Sequence, residues 1–337
     1  MIIAVSLILV LTVANLRGTR ESGRVFAIPT CAFVGLTLLL CVLWGVQQAA
    51  MKMVAGDIDP TMQLGMRFVI SALFYGFLTW RQEGANAFRD GTLPSGLLLG
   101  TLFSLEFILI ALALVRTSAA HTIVFLYTAP IFTALGLRMF PHERLNSAQW
   151  GGIALATGGI GIAFFQSGNR SWASLIGGDA LAILAGAAWG FSNVALRMGK
   201  VSSAGIAKTV FYQVGMGGAA LICFAYLNST TRVHWTPLSI AVQVYQTLGV
   251  ALYSYLIWFW LLGHYLTSRL MMLSLLTPLF GVVAGALLLH EVITGPFIVG
   301  AVAVLVGILV VNRFGAPHFR ASTGSRNSSL AEPGTTE

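Results

Sequence analysis

The chain has 337 residues, of which 57% are apolar and 9% charged, with a mean hydropathy of +0.84. Soluble domains carry about a quarter charged residues, so this composition excludes a water-soluble enzyme or binding module. The formal charge of +8 does not indicate nucleic acid, because the basic residues lie singly between apolar stretches rather than clustered with aromatics.

From the N-terminus, residues 1–30 comprise an apolar segment and a basic stretch that is expected to be cytoplasmic. The apolar run ends at Leu16 and lacks both a basic n-region and a small-x-small cleavage site, so it is a poor signal peptide. A short membrane-associated helix and a start placed upstream of the native one are the two readings of it. Beyond it, stretches of about 20 apolar residues, the length that crosses hydrocarbon as a helix, predict ten transmembrane helices. They cover residues 31–51, 61–80, 94–114, 119–139, 148–165, 177–197, 205–227, 238–262, 268–289 and 295–312. The links are short and rich in Gly, Pro, Asp and Asn, as turns require. Residues 314–337 are polar and rich in Ser, Gly and Thr, and are expected to be a disordered cytoplasmic tail.

With the N-terminal segment inside, thirteen of the nineteen Lys and Arg residues fall on the cytoplasmic side. Lys52, Arg116, Arg170 and Arg232 fall outside, and Arg67 and Lys208 lie within spans. This bias predicts a multi-pass inner-membrane protein with both termini cytoplasmic. Cys31, Cys41 and Cys223 sit in apolar runs without metal-ligand spacing.

An internal repeat organises the spans. The segment 44–53 beginning Trp44-Gly45 aligns with 189–198 beginning Trp189-Gly190 at an offset of 145, while Pro130 and His142-Glu143 align with Pro278 and His290-Glu291 at 148. Gly152 and Gly159 likewise match Gly300 and Gly307. Five spans per half is an odd number, so the second half must enter the membrane in the opposite sense. The expected fold is an all-α membrane protein of ten transmembrane helices arranged as two inverted five-helix repeats, residues 31–165 and 177–313.

The Trp-Gly of spans one and six, the proline in spans four and nine, the acidic residue closing each of those, and the Gly-rich spans five and ten resemble the EamA family of the drug/metabolite transporter superfamily. The resemblance covers about residues 31–313. It implies a bacterial inner-membrane transporter whose kin export amino acids and related metabolites.

The polar residues are read on their own chemistry. Glu106 lies inside the third span among Leu102, Phe103, Leu109 and Ile110, none of which satisfies a carboxylate. An intramembrane acid of this kind is a substrate-amine contact or a proton-coupling site, or else a structural hydrogen bond to another helix. Trp44, Gln47 and Gln48 share one helix face, and Trp189, Ser192 and Asn193 repeat it. Both faces are candidates for substrate contact, with interhelical hydrogen bonding as the alternative. Tyr127, Tyr212, Gln213, Gln246 and Tyr253 are further substrate-binding candidates at mid-depth, while Trp260 and His264 read as interfacial anchors. Arg67 suits a carboxylate through its planar fork, with snorkelling as the competing reading, which also suits Lys52 and Lys208. His121 reads as interfacial. Pro130 and Pro278 each free the carbonyl four residues earlier, at Leu126 and Ser274, and are expected to be kinks that gate.

His142-Glu143 and His290-Glu291 are not zinc motifs, since the fourth following position is Asn146 or Thr294 rather than His. Glu143 and Glu291 are expected to cap helices five and ten. The sequence offers no nucleophile-base constellation, nucleotide motif or cofactor site, and no metal or cofactor is expected. The reading is therefore a secondary transporter, an exporter of small metabolites such as amino acids, with the lipid bilayer, a small-molecule substrate and a coupling proton as partners and no nucleic acid. A multidrug efflux permease and, more remotely, a membrane-embedded lipid-modifying enzyme are the alternatives.

Overall fold

In hydrocarbon each backbone N–H and C=O must be satisfied within its own segment, and this chain meets that demand with helices. The structure is a computed structural model that describes residues 23–84, 87–137, 146–165, 172–264, 270, 273–274 and 276–313. The helices are α1 Gly23–Met53, α2 Pro60–Glu83, α3 Leu93–Arg116, α4 Ala119–Leu126, α5 Ala129–Leu137, α6 Ser147–Phe165 and α7 Trp172–Met198. They continue with α8 Ile206–Leu227, α9 Pro237–Val244, a π-helical segment Tyr245–Tyr253, α10 Ser254–His264, α11 Thr277–Leu289 and α12 Gly295–Arg313. Among the described residues, seven helical stretches are long and apolar enough to cross a membrane, and Thr277–Leu289 and Gly295–Val311 are shorter apolar helices. Among the described residues the only β pairing is a single bridge between Ile58 and Val233. The N-terminal apolar run, Glu143 and the C-terminal tail lie outside the described residues.

The helix starts follow local chemistry. Asp59 accepts from the Thr61 amide with Pro60 opening α2, and Ser118 accepts from the His121 amide ahead of α4. Thr236 and Ser239 form a reciprocal capping box at α9, and Asn146 and Gln149 exchange side-chain bonds to each other's amides at α6.

Two expectations about shape are corrected. The fourth span is two helices, α4 and α5, separated by Tyr127 and Thr128, rather than one helix kinked at proline. Pro130 lies in the first turn of α5 and Pro278 in the first turn of α11, where a missing N–H costs nothing, so both prolines open helices instead of bending them. The eighth span also departs from a plain α-helix. Its π-helical turns are held by the Tyr245 hydroxyl, which donates to the Leu43 carbonyl at 2.5 Å, and by Tyr75, whose hydroxyl reaches the Leu252 carbonyl at 3.2 Å.

The two halves interlock reciprocally. A Cβ built on Gly45 of α1 would lie 2.8 Å from the Thr277 carbonyl oxygen of α11, and one on Gly190 of α7 would lie 2.7 Å from the Ala129 carbonyl of α5. Thr277 and Ala129 are separated by the repeat offset of 148. The same exchange joins α6 to α12, where Gly152 abuts the Gly307 carbonyl and Gly159 the Gly300 carbonyl, each at 2.7 Å. These contacts need glycine because any side chain would push the backbones apart. Between them, α2, α3 and α8 enclose an apolar core of Phe68, Tyr75, Phe103, Phe107, Val210, Val214 and Leu221.

Candidate functional site

The polar residues of the interior converge on Arg67. It stands seven residues into α2, one turn beyond Gln63, so the two share a face. Its guanidinium lies 4.5 Å from the Phe68 ring centroid and 5.4 Å from that of Phe107, a cation-π arrangement. Nη1 donates to Gln246 Oε1 at 2.5 Å, and Gln246 Nε2 donates in turn to the Gln47 carbonyl at 3.0 Å. Three helical segments, α1, α2 and the π-helical turns, are thereby tied through one side chain. Arg67 is 1% exposed, so it does not snorkel as the sequence suggested.

Glu106 of α3 is also buried, at 6% exposure, and lies within electrostatic reach of Arg67 and of the Tyr255 hydroxyl. Among the described residues its carboxylate makes neither a hydrogen bond nor an ion pair. Arg67 Nε likewise has no partner, nor do Gln48 Oε1, Gln63 Oε1, Gln243 Oε1 or Thr247 Oγ1, all of which are buried. For Gln63 and Gln243 the assignment of the oxygen is fixed by the other end of the amide. Gln63 Nε2 donates to the Met51 and Ile58 carbonyls, and Gln243 Nε2 donates to the Gln63 carbonyl. A buried carboxyl and a buried guanidinium that are not joined, amid unfilled acceptors, leave polar groups in the interior without protein partners.

The two Trp-Gly faces do different work. Trp44 Nε1 donates to Ser254 Oγ at 2.8 Å and the indole stands edge-on to Trp258 at 5.3 Å, on the side of the Arg67 cluster. Trp189 packs edge-on against Tyr127 at 5.4 Å, Asn193 reaches Thr133 Oγ1 at 3.4 Å, and Ser192 is buried, so this face holds α7 to the fourth span. Tyr212 belongs elsewhere: its ring fills the notch left by Gly96, its carbonyl and the Met216 side chain abut Gly100, and its hydroxyl lies 3.0 Å from Thr92 Oγ1 near one end of the bundle. Gln213 is half-buried beside it. Tyr253 is 60% exposed and is not part of the interior cluster. Gln63, Phe107 and Tyr75 were missed by sequence reasoning, although Gln63 at four residues before Arg67 could have been found by helical spacing.

Comparison with known proteins agrees with this architecture. The EamA-like transporter family model matches residues 32–165 and again residues 176–313. The chain belongs to the EamA-like transporter family. Its relatives include a probable amino-acid metabolite efflux pump of Escherichia coli (strain K12), 29% identical over 299 residues, 83% of this chain and 94% of the relative. Another is the uncharacterized transporter YoaV of Bacillus subtilis (strain 168), 23% identical over 270 residues, 80% of this chain and 92% of the relative. A solved crystal structure at 14% identity superposes with a TM-score of 0.58 over 84% of this chain and 98% of its own, which shows the fold.

This EamA-like transporter, a membrane protein and not an enzyme, is fastened by charged side chains at both ends of the bundle. At the end where α2 finishes and α3 and α8 begin, Lys208 Nζ donates to Glu83 Oε2 at 2.8 Å and to Asp90 Oδ2 at 2.6 Å. That side chain is fully enclosed, so it does not snorkel either. At the opposite end, Lys52 donates to the Thr117 carbonyl and stands 3.6 Å from Glu291. Glu291 accepts from the Ala119 and Ala120 amides at 2.7 and 3.1 Å, capping α4 of the other half rather than the tenth span that follows it in sequence. Thr117 Oγ1 donates to Asp179 Oδ1 at 2.5 Å, and His121 Nδ1 lies 2.9 Å from Asp179 Oδ2. The His121 ring stacks on Phe297 at 4.3 Å, so this histidine links α4 to α7 and α12 at that end of the bundle. Among the described residues no group of three or more His, Cys, Asp and Glu side chains is placed to hold a metal.

Proposed function

We propose that this protein is a secondary transporter that exports small zwitterionic metabolites such as amino acids by alternating access between two inverted five-helix repeats. In this reading all ten spans cross a bacterial inner membrane, both termini are cytoplasmic, and the end bearing Lys52 faces outward. The observation that carries it is the buried, unjoined pair of Arg67 and Glu106. Arg67 offers an unpartnered Nε–H beside a fork suited to a carboxylate, and Glu106 offers a carboxylate to an ammonium. Gln48, Gln246 and the Trp44 face line the same region, and the unfilled oxygens of Gln48 and Gln243 are acceptors for the ammonium protons. The efflux name borne by the Escherichia coli relative supports the direction and substrate class. Tyr127, Trp189, Ser192 and Asn193 act on the far side of the repeat interface, where they steady the fourth span.

Counterflow of labelled amino acids in proteoliposomes tests the proposal. Exchange is expected for the wild type, with losses of about tenfold or more in Glu106→Gln and Arg67→Gln, the size of a lost charged hydrogen bond. Exchange that survives both substitutions undiminished removes the pair from the site.

A further inference from the structure

The fastening at the Lys52 end contains an imidazole and a carboxylate that meet across the two halves. Asp179 of α7 is fully buried, and its carboxylate is met by the Thr117 hydroxyl and by His121 of α4, which is itself 17% exposed. The two residues come from different halves of the chain, so the bond must break if the halves part there. We infer that His121 with Asp179 is a proton-binding site that locks the outer mouth of the transporter, an assignment that rests on the orientation proposed above.

The charges that face the pair decide the sign. Glu291 approaches from the link before α12 and Lys52 from α1, and these two offset one another at 3.6 Å. Arg116 is turned back along its own helix toward the Leu112 carbonyl, and α12 places the Phe297 ring against His121. With His121 neutral, closing this end buries the Asp179 charge with hydrogen bonds but without a compensating cation, which is costly in a low-dielectric setting. Proton uptake by His121 makes the enclosed set neutral and adds an ion pair at 2.9 Å. Acid outside therefore favours the closed mouth, and alkali favours opening. The device is one-sided. Applying the repeat offsets to Asp179 and His121 gives Val34 and Arg269, so the repeat supplies no equivalent pair at the other mouth.

Cys41 provides the test. It is buried in α1 with Sγ 3.4 Å from the Leu273 carbonyl, whereas Cys31 and Cys223 are exposed. In a protein carrying Cys31→Ser and Cys223→Ser, reconstituted right-side-out, labelling of Cys41 by a membrane-impermeant maleimide is followed as external pH is varied, with rates corrected for thiolate fraction on a denatured control. The corrected rate is expected to fall about tenfold between about pH 8 and about pH 5, a window spanning imidazole titration, and to ignore internal pH. His121→Asn, which retains an N–H donor toward Asp179 but cannot titrate, is expected to label at a pH-independent rate. Labelling of the wild-type histidine protein that is flat with pH, that responds only to internal pH, or that keeps its pH response in His121→Asn overturns the proposal. Counterflow in the same vesicles is scored separately, so absence of transport would count against the substrate reading while the labelling still judged the proton site.

Discussion

Arg67 shows how a single side chain sets the character of the interior. A guanidinium enclosed at 1% exposure is tolerable only because aromatic faces and Gln246 replace its water, and because Glu106 is within electrostatic reach. Asp90 illustrates the opposite setting, in a link outside the membrane-spanning helices. The hydrogen bond from Lys208, followed by those from the Thr92 hydroxyl and amide, holds its carboxyl well below the usual carboxylate range. A lowered value means that the stabilisation is complete above the ordinary carboxyl pKa of about 3.9 and is lost as acid carries the pH down through the lowered one. Asp90→Asn is therefore expected to lower the melting temperature in detergent by a constant amount from about pH 8 to about pH 5, the difference closing only in stronger acid. A deficit that has already disappeared near neutrality would show that Lys208 is not what holds this carboxylate.

Among the elements, the first helix of each half is set by its Trp-Gly step. Gly45 and Gly190 face backbone at equivalent positions on α11 and α5, so Gly45→Ala and Gly190→Ala are expected to destabilise by a similar amount, about 1 to 3 kcal/mol each. Gly35 in α1 has open space around it, and Gly35→Ala is expected to be neutral or to stabilise by up to about 1 kcal/mol through helix propensity. Thermal unfolding of the three variants in one detergent distinguishes close approach from a general intolerance of α1. The Trp-Gly recurrence was visible in the sequence, but its meaning as a crossed contact between halves was not, because the contacted carbonyls of Thr277 and Ala129 carry no side-chain signal. The break at Tyr127 and Thr128 and the π-helical turns were likewise hidden, since hydropathy reports how apolar a stretch is and not how its backbone is wound.

At the scale of the molecule, the halves are not independent units. α1 packs on α11, α7 on α5 and α6 on α12, and the two sets of charged fastenings also cross between halves. Residues 1–165 expressed alone are expected to be degraded, whereas co-expression with residues 166–337 is expected to restore a protease-resistant complex. Stable accumulation of the first half by itself would contradict the interlocked arrangement.

The apolar stretches, the repeat and the family resemblance were all legible in one dimension, because membrane insertion depends on the summed hydrophobicity of each stretch and repeats preserve spacing. That Glu106 lies buried without a partner on its own helix was legible too, since a carboxylate among leucines and phenylalanines has no local remedy. Which partner each polar group finds was decided only by tertiary structure: Glu291 caps a helix about 170 residues away, Asp179 meets His121 across 58, and Arg67 reaches Gln246 across 179. The physical reason is that hydrocarbon obliges every polar group to find a partner or a polar cavity while leaving its identity open, and only the packing of the helices makes that choice.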